Sequence, residues 1–533
     1  MFSEELRLLF TNYSFLIFFA LLIPVYFCVP KKSQWIVLLA ASYIFYFFTS
    51  SALPVYMILT TVTVFFSARG MDRIEEKTAA YINENKAVLS REERKEIKNG
   101  AKKKKRYLLI PTVIFNIGLL VILKYSNMFI GTVNSIFSSE LSLVSLAVPL
   151  GISYYTLQSI GYLTDVYRSK YKSESNIAKF ALFVSFFAQI VQGPFGRYDH
   201  LGHQLYEEHK FDFVRLKSGL VLMLWGYFKK LVIADTIASS VATIFSDVAE
   251  YNAIQLLMGT IFYSIQVYAD FSGYMDIATG VCEIFGIELA VNFDRPYLSK
   301  SVQEFWRRWH MTLGAWFKDY VFFPLSVSKV AVSVSKKCRK KGYLNLAKLL
   351  PSYIALIFVW SLTGLWHGTD WKYMVWGAGN CVFIIINMQF EPLFNKIKEK
   401  LKINEANVLW RFFQIVRTFI TVSLLRVCSR AESFADAGLY YKKIFTLADI
   451  EQIGFRTFFP AIDKYDLVVV LVGCLALYII SMLQFRYPKV RQQLFTKNYF
   501  VQSFVIMALI FSIIIFGTYG SGMDVGGFIY AQF

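Results

Sequence analysis

Two apolar runs, one from about Tyr353 and one from Tyr373 to Phe390, are separated by only a few residues within the stretch Trp360 to Asn380, which reads WSLTGLWHGTDWKYMVWGAGN. That gap is too short for a soluble loop of any size. It also places His367 inside apolar sequence. A charged group at mid-depth in a membrane costs roughly 2.5 kcal/mol or more, so an ionisable residue there reads by default as functional. The alternative is a histidine at a helix end whose ring is satisfied by a backbone carbonyl, and this stretch alone does not separate the two.

Composition supports the same medium. Over 533 residues, 56% are hydrophobic and 18% aromatic, with a mean hydropathy of +0.45, which describes an integral membrane protein and not a soluble globular chain. Lys and Arg outnumber Asp and Glu by 56 to 37, a net charge of +19. The positive residues sit in short runs between apolar stretches, as in cytoplasmic loops beside membrane spans, so membrane lipid and not nucleic acid is the expected neighbour. The six cysteines are scattered and form neither a CxxC pair nor a disulfide framework. Cys338, inside KKCRKK, could carry a lipid, although an unmodified thiol suffices.

Along the chain, Phe15 to Val29 is apolar but is preceded by Glu4, Glu5 and Arg7 and followed by no small-residue cleavage site, so it reads as a first span and not a signal peptide. Runs at Trp35 to Phe48 and Val55 to Phe66 follow. Met71 to Arg106 is charge-dense, ends in KKKKR and reads as one or two exposed amphipathic helices. Lys31, Lys32 and this basic segment inside, with the turn at 49–51 outside, put the N-terminus outside the cell. Beyond Leu108 the spans lose regularity: PLGISYYTLQSIGYLTDVYR interrupts a helix with Pro149, Gly151 and Gly161, tolerable only where protein or water satisfies the backbone. With about 20 residues per span, the expected fold is an all-α polytopic membrane protein of about 11 to 13 transmembrane or re-entrant helices.

Polar residues concentrate in the middle of the chain. His200, His203 and His209 lie near acidic residues, but without HExxH or cysteine they read as a solvated loop, and no metal is expected. GYFKKLVIADTIA places Lys229, Lys230 and Asp235 at the edge of an apolar helix, and SIQVYADFSGYMDIATG sets Gln266, Asp270, Ser272 and Asp276 among aromatics, as caps or hydrogen-bonding groups at a cavity rim. In SVQEFWRRWHMTLGAWFKDYVFFPL, a continuous helix would put Trp306, Trp309, His310, Leu313 and Phe317 on one face, with Glu304 in reach of Arg307 and Arg308 on another. The arginines could hold a phosphate-bearing donor or lipid head groups.

Together QGPFGRY, GYFKKLVIAD, YADFSGYMDIATG, NFDRPYLSKSVQEFWRRWHMTLGAWFKDYVFFPL and GLWHGTDWKYMVWG resemble the membrane-bound O-acyltransferase family over roughly residues 10–390. The bacterial branch with the alginate O-acetyltransferase membrane subunit and peptidoglycan O-acetylation proteins is the most similar, with D-alanyl transfer to teichoic acid as a neighbouring activity. The resemblance divides the chain into N-terminal transmembrane helices (1–70), a basic cytoplasmic segment (71–106), a catalytic core (107–390) and C-terminal transmembrane helices (391–533). It implies transfer from a cytoplasmic thioester, acetyl coenzyme A or an acyl carrier protein, toward a polysaccharide hydroxyl across a bacterial cell membrane, finished by an extracytoplasmic SGNH-type partner. It also implies that His367 is the catalytic histidine and His310 the second functional one. No bound cofactor is expected. Trp306, Trp309 and Trp366 beside them, with Arg307, Arg308, Asp270, Ser272 and Gln266, are the candidate donor or cavity residues. GAGN at 377–380, FPLSVSK and KKCRKKGYLN depart from the family pattern and leave the acceptor open.

Acyl transfer from a thioester to a hydroxyl needs a base and a group that stabilises the oxyanion. Burial favours neutral imidazole, which suits His367 as base, with His310 orienting substrate or polarising the carbonyl. Asp370 could pair with His367 but is explained as the N-cap of the next helix. A transporter would show two similar halves, which are not seen; an export-complex scaffold would not need both histidine motifs.

Overall fold

The computed structural model describes residues 8–50, 54–450, 454–459, 461–495 and 497–519, and every regular element among them is helical. Glu4, Glu5, Arg7, Ser51 of the turn at 49–51 and the aromatic tail from Met523 lie outside the described residues. Six described helices are long and apolar enough to cross a membrane: Arg91–Phe137, Leu344–His367, Trp371–Lys400, Val408–Arg430, Lys464–Arg486 and Tyr499–Phe516. Tyr13–Cys28 and Ile177–Ile190 are shorter apolar helices. The chain is a multi-pass, all-α membrane protein. Two other expected spans form helices of 16 residues each, Gln34–Thr49 and Ile152–Tyr167.

The chain divides into two compact units, Met1–Arg215 with Val281–Ala290, and Leu216–Gly280 with Val291–Phe533. In the first, the charged segment after Arg69 is the outer part of two long helices, Val55–Glu84 and Arg91–Phe137. Ser90 and Glu93 form a reciprocal capping box that starts the second of these. Its 47 residues span about 70 Å at 1.5 Å per residue, against a hydrocarbon core of about 30 Å, so its basic end extends past the membrane. Polar side chains fasten the pair along its length: Ser67 Oγ lies 2.6 Å from Thr112 Oγ1 in the apolar part, and Lys105 binds Glu75 at 2.6 Å in the charged part.

The triplet of histidines is not one solvated loop. His200 and His203 are exposed on the Tyr198–Tyr206 helix, whereas His209 is buried. Its Nδ1 lies 3.0 Å from Tyr26 Oη, and its backbone exchanges hydrogen bonds with the Gln34 side chain at 2.8 and 2.9 Å. Its sequence neighbours are polar and gave no sign of that burial.

In the second unit, the helix Phe213–Tyr227 passes through a π-helical turn, Phe228–Ala234, into Asp235–Ser246. It packs closely on Ala253–Phe285: a Cβ on Gly226 would come within 2.5 Å of the Gly273 carbonyl oxygen. That approach sets adjacent lysines against the acidic face of the second helix. Lys230 bridges Asp235 and Asp270, both at 2.8 Å, while Lys229 meets Asp276 at 2.7 Å and donates to Ser272 O and Oγ at 3.0 and 3.1 Å. Asp270 and Asp276 are therefore ion-pair partners of the two lysines. Lys230 and Asp270 are 2% and 1% exposed, too deep for either to lose its partner cheaply. Replacing Lys230 by Met should cost about 3–5 kcal/mol, because two carboxylates lose their cation. Combining it with Asp235→Leu and Asp270→Leu should recover most of that loss, as read by thermal unfolding in detergent.

Candidate active site

His367 is the last residue of the Leu344–His367 helix, and Asp370 caps the next helix, Trp371–Lys400, by accepting from Lys372 N at 2.9 Å. Asp370 thus has the structural task expected of it. The two helices nearly touch. A Cβ on Gly364 would lie 2.7 Å from the Tyr373 carbonyl oxygen, and one on Gly377 would lie 2.6 Å from that of Trp360. This contact draws the Trp376 ring to 4.6 Å from the His367 ring, edge-on at 74°. His367 is 7% exposed, with Trp366 against its other side at 4.8 Å.

The His310 segment differs from the continuous helix that its spacing predicts. Helices Val302–Arg308 and Met311–Phe317 are separated by a turn in which His310 adopts φ 46° and ψ 52°. This left-handed conformation costs a non-glycine residue about 1–2 kcal/mol and needs outside support. The segment 292–294 supplies it: Asn292 O accepts from Met311 N at 2.9 Å, and Asp294 N donates to Arg308 O at 3.0 Å. His310 Nδ1 lies 3.0 Å from Asn292 Oδ1. The ring packs edge-on against Phe271 at 4.9 Å and against Trp366 at 5.5 Å. Trp366 is thus shared by both imidazoles.

The break sorts the remaining candidates. Trp309 is 2% exposed, walled by Phe271, Phe293 and Phe305 and covered by the guanidinium of Arg426 at 4.5 Å. Trp306 instead joins Trp360 and Trp376, and its Nε1 donates to Asn380 Oδ1 at 2.9 Å. Arg307 is exposed, and Arg308 pairs with Glu304 at 2.7 Å, as the i,i+4 spacing implies. Asp270 and Ser272 belong to the lysine cluster, and Gln266 is half-buried one turn earlier. Of the candidates, the structure brings together His310, Trp366 and His367, with Trp306 joined to them through Trp376, whereas Asp270 and Ser272 lie in the lysine cluster. The sequence reading gave Asn292, Trp376 and Arg426 no part in the site; Asn380 was noted as the last letter of GAGN.

Residues 168–337 match the sequence model of MBOAT, the membrane-bound O-acyltransferase family. The chain carries a membrane-bound O-acyltransferase domain. Peptidoglycan O-acetyltransferase of Helicobacter pylori is 31% identical over 344 residues, 58% of this chain and 62% of that protein, so the match spans about three-fifths of the relative's length. A probable alginate O-acetylase AlgI of Azotobacter vinelandii is 29% identical over 82% of this chain and 78% of its own. A teichoic acid D-alanyltransferase of Streptococcus thermophilus is 28% identical over 52% of this chain and 66% of its own. The family match includes Asn292 and His310 and stops before His367.

Asn380→Leu should cost about 1–3 kcal/mol, because it strands Trp306 Nε1 in the interior, and tryptophan fluorescence during unfolding measures it.

Proposed function

We propose that this chain is a membrane-embedded O-acyltransferase. It moves an acyl group, foremost acetyl, from a cytoplasmic thioester, acetyl coenzyme A or an acyl carrier protein, across the membrane toward hydroxyls of a cell-envelope or exported polysaccharide. The observation that carries this reading is the meeting of His310 and His367, far apart in sequence, on the single indole of Trp366. Two imidazoles enclosed by aromatic rings suit proton transfer in a water-poor site.

In the proposed reaction His367 takes the proton of the attacking hydroxyl. The C–O bond forms at the thioester carbonyl, the C–S bond breaks, and the departing sulfur receives the proton from the imidazolium. His310 serves the same step either by orienting the substrate through another of its donors, which needs a lone pair, or by polarising the carbonyl, which needs an N–H. Residence in a bacterial cell membrane with the N-terminus outside, and delivery to the polymer through an SGNH-type partner, belong to this reading. D-alanyl transfer to teichoic acid is the second reading, favoured by the relative that bears that name.

His367→Ala should abolish incorporation of labelled acetate into envelope polysaccharide while leaving the protein's abundance in the membrane unchanged. Near-wild-type incorporation by that variant would remove His367 from the reaction. Labelled D-alanine incorporated in place of acetate would select the second reading.

A further inference from the structure

The contacts of Asn292 determine which nitrogen of His310 carries the proton. Asn292 Oδ1 receives Thr312 N at 3.2 Å and Thr312 Oγ1 at 2.8 Å, and lies 3.0 Å from His310 Nδ1. The amide cannot be turned over. A flipped Asn292 would set its NH2 against the backbone N–H of Thr312, two donors face to face, and would move its oxygen next to Met275 Sδ, where Nδ2 now sits at 3.3 Å. The group facing His310 is therefore a carbonyl oxygen, which only accepts, so Nδ1 is the donor. Both residues are buried, at 4% exposure each, so water does not compete for this hydrogen bond. A neutral imidazole with its proton on Nδ1 has its lone pair on Nε2.

We propose that Asn292 is the positioning residue that locks His310 as the Nδ1–H tautomer, so that Nε2 accepts a hydrogen bond from the substrate, at a group other than the proton His367 removes, and does not donate to the acyl carbonyl. The catalytic half of this statement rests on the acyl-transfer reading; the tautomer does not. Asn292 holds the site by three bonds to the 310–312 turn beyond the imidazole contact: its backbone oxygen takes Met311 N, and its side chain takes Thr312 N and Oγ1. One residue thus fixes the strained backbone, the ring and the proton. Polarisation of the carbonyl then falls to another donor.

The test uses the full chain in lipid bilayers, labelled with 15N-histidine. The protein has five histidines, and His310→Gln identifies the His310 signals by their loss. Solid-state NMR should find His310 protonated at Nδ1 and unprotonated at Nε2; a protonated Nε2 overturns the proposal whatever the protein's activity. Asn292→Leu should release the tautomer toward Nε2–H, and Asn292→Asp, which still accepts from all three donors, should keep the proton on Nδ1. If Asn292→Leu leaves the tautomer unchanged, Asn292 is not the anchor.

The second arm measures acetyl transfer from radiolabelled acetyl coenzyme A in inverted membrane vesicles. Asn292→Leu should lower kcat about 10- to 100-fold with the KM for donor unchanged, and Asn292→Asp should keep most of the rate. Wild-type kcat in Asn292→Leu overturns the catalytic role. No transfer by wild-type vesicles, alongside the expected NMR result, counts against the acetyl coenzyme A reading and not against the anchor.

Discussion

Lipid offers no hydrogen bonds, so every polar group this chain carries into the membrane must be answered by another part of the chain. That requirement explains why the polar interior is concentrated and not dispersed. Lys229 and Lys230 meet two aspartates and a serine across one helix contact, and Lys230 also meets Asp235 on its own helix. The backbone around His310 leaves helical geometry and is answered at once by Asn292 and Asp294. Arg426, in the apolar Val408–Arg430 helix, spreads its charge over Trp309 and donates to Tyr297. Arg417 on the same helix donates to Lys300 O at 2.8 Å, so the helix packs on protein as its arginines require.

Much of this was legible in the sequence because it depends on local period and composition. The apolar runs gave the all-α membrane class, and Pro149 and Gly151 marked a real interruption, since the next helix starts at Ile152. The Asp370 cap and the Glu304–Arg308 pair are local patterns and were read correctly. The pairing of His310 and His367 came from resemblance, not from periodicity, and the structure shows the shared indole that joins them.

What stayed hidden depends on long-range contact or on a broken rule. The helical spacing of Trp306, Trp309 and His310 predicts one face, yet the left-handed residue at 310 turns the chain, sending Trp306 to Asn380 and Trp309 to Arg426. No sequence pattern links Asn292 to a ring 18 residues away. Adjacent lysines in a helix would point in different directions; the π-helical turn that brings both onto one partner helix is invisible to a 3.6-residue period. The GAGN departure proved structural: Asn380 is fully buried, holds Trp306 and donates to Trp376 O at 2.9 Å.

Trp366 also bears on the breadth of substrates that such a site admits. An indole that walls both imidazoles makes the space between them a property of one side chain. Under the proposed acyl-transfer reaction, trimming it to fit a bulkier acyl chain would loosen both rings together, so acyl size and proton-transfer geometry would not vary separately at that position. On that reading, adaptation to new acyl groups is pushed outward to Trp376, which packs on His367, and to Trp306 behind it.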